Sequence, residues 1–227
     1  MSANVLKKRI FAVAGYAAAI LFTFCTLAYA WLLNNASVYD VSKSFYFLVS
    51  DSTHVEASAY IAAVKGGAGY LLRSDEREYS ALAVYLRQSG GAKAQKALQA
   101  DGSFSLLEKR VEKLYFKTQA EKKKSGTVLN ALGCLGDCIE VLSGEIARLD
   151  EGATQESSKR ALNILAKQFS YLQGQYGETF EEFSRVCAKA DEELEKLVAG
   201  TVFVRELRYL SCMLCDSYVR LCEEFSV

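Results

Sequence analysis

The chain of 227 residues contains no proline. At an average usage of roughly 5%, about eleven would be expected. Their absence leaves long helices uninterrupted and disfavours proline-rich linkers. A single histidine, His54, excludes His-rich metal sites and any mechanism that needs two imidazoles. There is no net charge either, since 27 Lys and Arg balance 27 Asp and Glu. A chain without a basic excess is poorly suited to bind a phosphate backbone, which argues against nucleic acid as a partner. With 51% hydrophobic and 24% charged residues, the composition is that of a folding chain and not a disordered one.

The charge balance averages over unlike parts. Residues 10–33 (IFAVAGYAAAILFTFCTLAYAWLL) form a run of 24 without a charge. As a helix rising about 1.5 Å per residue, it would cross a hydrocarbon core with some tilt. Lys7, Lys8 and Arg9 precede it directly, and Asp40 and Lys43 are the next charges. This asymmetry predicts residues 1–9 in the cytoplasm, a span at 10–33 and the bulk of the chain outside. Tyr29 and Trp31 suit the outer headgroup zone. The alternative is a cleaved signal peptide, for which Ala28-Tyr29-Ala30 offers a small-x-small site. Trp31-Leu32-Leu33 carries the apolar run past that site, which favours the uncleaved anchor.

From Phe45 the pattern shortens. Phe45 to Val49 is aromatic and ends β-branched, as a strand does. Ser50 to Thr53 supplies helix caps before an Ala-rich helix at 55–65, closed by Gly66-Gly67. Strands follow at 70–72 and 79–86, then a helix at 92–99 and a fourth strand within 104–117. The order β-α-β-β-α-β is the ferredoxin-like split-βαβ arrangement. Alternation along the third strand predicts Leu82, Val84 and Leu86 facing the helices and Tyr79, Ala81, Ala83 and Tyr85 facing away. By the same rule Phe45, Phe47 and Val49 point inward and Tyr46 and Leu48 outward.

Over residues 43–117 the chain resembles the sporulation-related repeat (SPOR) family. The resemblance is carried by Tyr46-Phe47-Leu48-Val49-Ser50, by Glu56-Ala57 and Ala59, by the Gly66 to Tyr70 turn, and by Tyr79 to Tyr85 followed by Ala94 to Leu98. Where that family commonly has Gln and Gly at the end of the first strand, Leu48, Val49 and Ser50 stand here. The resemblance implies an extracytoplasmic domain that binds peptidoglycan glycan strands on the sheet face away from its helices, and acts in cell division, sporulation or wall remodelling. On that face Tyr46, Leu48, Tyr79 and Tyr85 are the candidate glycan contacts, with Arg73 as a donor to sugar carboxylates. The competing reading is that the tyrosines cover a second packing surface against the C-terminal helices.

Segment 34–117 carries 11 basic and 9 acidic residues, and segment 118–227 carries 13 and 18. The charged stretch from Glu121 to Gly126 lies at the boundary as a linker or helix end. Beyond it, apolar residues spaced by three or four predict helices at 127–149, 157–198 (broken or bent at Gly174 or Gly177) and 202–225, forming a bundle. The last of these is apolar on two sides, so it is central in the bundle or buried at an oligomer interface. The fold class is thus α+β: a transmembrane helix, a ferredoxin-like domain at 34–117 and an all-α bundle at 118–227. Its partners are the bilayer through residues 10–33, wall glycan through the sheet, and another copy or an envelope protein through the C-terminal helices.

Six cysteines, Cys134, Cys138, Cys187, Cys212, Cys215 and Cys222, lie in the helical region. Cys212 and Cys215 form a C-x-x-C within a helix, not at a helix start after a strand as in redox motifs. Interhelical disulfides suit an oxidising compartment, whereas free buried thiols suit cysteine's role as a small apolar packing residue. No Ser/His/Asp constellation, phosphate loop or metal-ligand spacing stands out. The reading is therefore of a non-enzymatic protein with no catalytic residues, metal or cofactor. The alternative to glycan binding is a membrane scaffold working only through protein–protein contacts.

Overall fold

The computed structural model describes residues 25–26, 36–50, 66–74, 77–98, 104–178 and 180–226. Most of the expected span at 10–33 and the whole expected helix at 55–65 lie outside these residues. The described part is mixed α+β. It comprises strands β1 (Ser37–Ser50), β2 (Tyr70–Ser74), β3 (Arg77–Tyr85) and β4 (Phe104–Phe116), with helix α1 (Gln88–Leu98) between the last two. Helices α2 (Gln119–Asp150), α3 (Gln155–Tyr176), α4 (Glu181–Ala199) and α5 (Val204–Glu223) follow. The four strands form one sheet in the order β2-β3-β1-β4, and every neighbouring pair is antiparallel.

β1 is far longer than the apolar run at 45–49. Its polar first half pairs with the end of β4, Ser37 opposite Phe116, before the ladder with β3 begins at Tyr46. Half-exposed backbone tolerates Asp40, Ser42 and Lys43, which is why hydropathy alone misses this part. The ladder slips between Asp40 and Lys43, where Ser42 adopts φ 42°, a bulge that bends the strand.

Of the two readings of Glu121 to Gly126, linker or helix end, the second holds: the stretch lies in the first turns of α2. Thr118 caps that helix, its hydroxyl accepting from the Glu121 N–H at 3.1 Å while the Glu121 carboxylate accepts from the Thr118 N–H at 3.0 Å. This capping box fixes the helix start immediately after β4. The same hydrogen bonds, first from the Thr118 backbone, hold the Glu121 carboxyl below its ordinary pKa. The expected helix at 157–198 is two, broken after Tyr176. Gly177 is the break: a Cβ there would lie 2.7 Å from the Gln173 carbonyl oxygen.

The sheet and the helices share one hydrophobic core. At its centre lies α5, buried without interruption from Leu210 to Val219. One side packs on α2 and α4, the other on the sheet. This resolves the two-sided apolar pattern of the last helix in favour of a central position. Phe45 meets Tyr218 edge-on at 5.4 Å, and Tyr70 meets Tyr209 edge-on at 5.4 Å. Arg208 donates to the Gly66 carbonyl at 2.7 Å and grips both Asp150 carboxylate oxygens at 2.9 Å. Beyond the helix, Phe225 accepts from the Tyr115 N–H at 2.7 Å, so the tail covers the open edge of β4.

Among the described residues, α2 alone is long and apolar enough to cross a membrane. Half of its most apolar window is buried inside the fold, and the helix carries Asp137, Glu140 and Glu145. Its apolar stripe is accounted for by the core.

Candidate functional site

The five sequence candidates for glycan contact do not share a surface. Alternation along β3 is broken by a bulge. Between Leu48 and Val49 the partner on β3 moves from Ala83 to Ala81, leaving Leu82 as the extra residue. Leu82 therefore joins Leu48 and Phe104 in a small cluster under α1, together with Tyr85, Ala94 and Leu98. Ala81, Tyr79, Val84 and Leu86 belong to the large core on the opposite face. The expected sets Leu82/Val84/Leu86 and Tyr79/Ala81/Ala83/Tyr85 are each split between faces. Side-chain alternation has a period of two, so one extra residue reverses everything after it.

Tyr46 is half-buried directly opposite Tyr85 and so lies on the α1 face. Leu48, expected outward, is 1% exposed on that face. Tyr79 is half-buried against the α5 side. Burial holds the Tyr85 hydroxyl above its ordinary pKa. Arg73 alone is open to solvent, on edge strand β2. The sheet face away from α1 is occupied by α5: Phe47, Val49, Leu72 and Leu114 on it are inaccessible.

A polar site forms where α5 crosses the sheet. Asp216 lies on α5 between buried Cys215 and Ser217 and is 5% exposed. Its Oδ2 accepts from the Tyr70 hydroxyl at 2.8 Å and its Oδ1 from Lys109 Nζ at 2.8 Å. Arg220, one turn on, reaches Oδ2 at 3.2 Å. Lys109 also donates to the Arg73 carbonyl at 2.9 Å. Tyr70 and Arg73 come from β2 and Lys109 from β4, the two outer strands of the sheet. Tyr70 and Lys109 thus reach one carboxylate from the two opposite edge strands, as a twisted sheet curled around α5 allows. Burial, then the Asp216 charge, pushes the Tyr70 hydroxyl well above its ordinary pKa and keeps it a donor. With two hydrogen bonds and two cations, the buried carboxylate is compensated, as a charge at this depth must be.

A cleft of about 490 Å³ opens beside this group, lined by Tyr70, Leu71, Arg73, Lys109, Asp216 and Arg220 among others. Asp216 and Arg220 lie on the last helix, and nothing local in the sequence connects them to the sheet. The available signal is a lone acid inside an apolar helix with Arg220 at i+4, a spacing that pairs charges. Lys109 lies in the run Glu108-Lys109-Arg110, where nothing local distinguishes it from its exposed neighbours.

All seven cysteines are free thiols in the structure. Cys138, Cys187, Cys212, Cys215 and Cys222 are buried. Desolvation raises the thiols of Cys138, Cys187 and Cys222 to about 12. Cys212 and Cys215 are raised as well, again mainly by burial. Such thiols are inert toward metals and oxidants, which react with the thiolate. The C-x-x-C at 212–215 thus faces the core as packing. Among the described residues no group of three or more Cys, His, Asp and Glu is placed to hold a metal ion.

Known protein families, curated proteins and solved structures contain no match to this chain.

Proposed function

We propose that the chain is a non-enzymatic, single-pass membrane protein of the cell envelope that works as a scaffold, its SPOR-like sheet serving as the platform for its own helical region. The span at 10–33 and the basic residues before it support an inside N-terminus and an extracytoplasmic bulk. The strand order β2-β3-β1-β4, antiparallel throughout, supports the ferredoxin-like and SPOR-like reading of residues 43–117. Division, sporulation and wall remodelling are the processes this reading implies.

One observation carries the choice of scaffold over glycan binder: α5 buries the sheet face on which a glycan strand would rest. A sugar cannot stack there without displacing a helix whose central ten residues are core. A surface for partners lies elsewhere, where Val141 on α2 and Ile164 and Tyr171 on α3 stand exposed. A second reading, glycan contact at the sheet edge, is favoured by Arg73, which lines the open cleft beside Tyr70 and Lys109.

Sedimentation of the full chain with purified peptidoglycan, with and without stem peptides, tests both. The scaffold reading expects the protein to stay in the supernatant in each case. Saturable pelleting that Arg73→Ala abolishes would replace it with the second reading.

A further inference from the structure

We propose that the cleft between β2, β4 and α5 binds an oxyanion, a carboxylate or phosphate carried on a small carbon frame. Four cationic side chains, Arg73, Lys109, Arg110 and Arg220, line it against two acidic ones, Asp216 and Glu223. Asp216 is already compensated by Tyr70, Lys109 and Arg220, so it does not repel a ligand as a free carboxylate would, and Arg73 and Arg110 are the cations left to meet one. The guanidinium groups have donors to spare. Arg73 meets Glu78 through Nε at 2.8 Å, and Arg110 meets Glu112 through Nε at 3.2 Å. A guanidinium held by Nε keeps its two terminal nitrogens, and that fork matches the paired oxygens of a carboxylate or phosphate.

The size fits as well. At about 490 Å³ the cleft is in the range of small-molecule sites. Leu71 and Val219 give it an apolar wall against which a sugar ring or carbon chain can lie. Both walls are anchored: Lys109 ties β4 to α5 and to the Arg73 carbonyl, so the cations are presented by a fixed frame. The inference rests on the cleft itself. It stands or falls separately from the scaffold reading, because intact wall can fail to bind while a small anion does.

Thermal unfolding of the full chain in detergent, followed by far-UV circular dichroism at low salt, tests it. The probes are inorganic phosphate, N-acetylmuramic acid and, as a neutral control, N-acetylglucosamine. At millimolar concentration at least one anion raises the melting temperature and the neutral sugar does not. Stabilisation by phosphate alone identifies a phosphate ester as the ligand class, and by N-acetylmuramic acid alone a sugar carboxylate. The Arg73→Ala/Arg110→Ala variant, altered at exposed positions, weakens the effect at least tenfold. Arg185→Ala, on α4, leaves it unchanged. No shift with either anion, an equal shift with the neutral sugar, or full binding by the double variant would overturn the proposal.

Discussion

Replacing Asp216 by alanine is the sharpest perturbation of the contact between the sheet and its central helix. It strands the Lys109 ammonium, whose side chain is 12% exposed, and removes the acceptor of the Tyr70 hydroxyl. Breaking a buried pair by deleting one partner costs about 3–5 kcal/mol, because the other charge stays buried without compensation. Against a typical total stability of about 5–15 kcal/mol, that is a large fraction. Removing both charges together is different. Asp216→Leu with Lys109→Met leaves no buried ion; the exposed Arg73 carbonyl can turn to water, and the buried Tyr70 hydroxyl is left unsatisfied at a cost of about 1–3 kcal/mol. Urea unfolding of the full chain in detergent, read by far-UV circular dichroism, measures both. The double variant should be more stable than Asp216→Ala. The Lys109–Asp216 pair is shielded from solvent, so 0.5 M salt should leave the ranking unchanged. A cost under about 1 kcal/mol for Asp216→Ala, or effects at 109 and 216 that simply add, would contradict a buried, coupled pair at this site.

Alkaline conditions should destabilise the fold. Cys138, Cys187 and Cys222 hold their protons up to about pH 12 in the fold but release them near the ordinary thiol value when unfolded. Above about pH 9 the folded state therefore binds more protons, and stability falls by up to about 1.4 kcal/mol per pH unit per thiol. Urea midpoints between pH 8 and 10.5 under reductant should show this decline, and a flat profile would contradict the burial. At Gly91 an added Cβ would come 2.6 Å from Leu106 Cδ1, beside Tyr85. Gly91→Val should cost about 1–3 kcal/mol through overpacking, while Gly91→Ala is absorbed by rotation of the Leu106 tip. Thr118→Ala removes the capping box of α2 and should cost about 0.5–2 kcal/mol in the same unfolding assay.

Much of the architecture is legible locally. The three- and four-residue spacing from Val128 to Ile146 marks α2, and the Gly177 break appears as one of two glycines interrupting a helical pattern. Strand positions follow from the aromatic and β-branched clusters. What is not legible is non-local. The bulge at Leu82 depends on the register between β1 and β3, so simple alternation assigns Tyr85 to the wrong face. The polar half of β1 is strand only because β4 is long enough to pair with it. Asp216 and Lys109 are separated by 107 residues, and their meeting depends on sheet curvature and on α5 entering the core. The two apolar sides of the last helix were readable, and so was a sheet face packed against the C-terminal helices; of the tyrosines expected to form that contact, however, Tyr79 faces α5 while Tyr46 and Tyr85 lie on the α1 face.

α5 completes the core on the sheet face away from α1, so the sheet should not fold as a free face. The most direct measurement is the folding of residues 34–117 produced alone. Phe45, Phe47, Val49, Leu72, Val111, Leu114 and Phe116, all buried in the full chain, would then lose their α5-side cover. The expected result is a segment with no cooperative urea transition and with dye-accessible hydrophobic surface, restored to a folded state by adding the 118–227 segment. A segment that unfolds cooperatively by itself and pellets with peptidoglycan would contradict it.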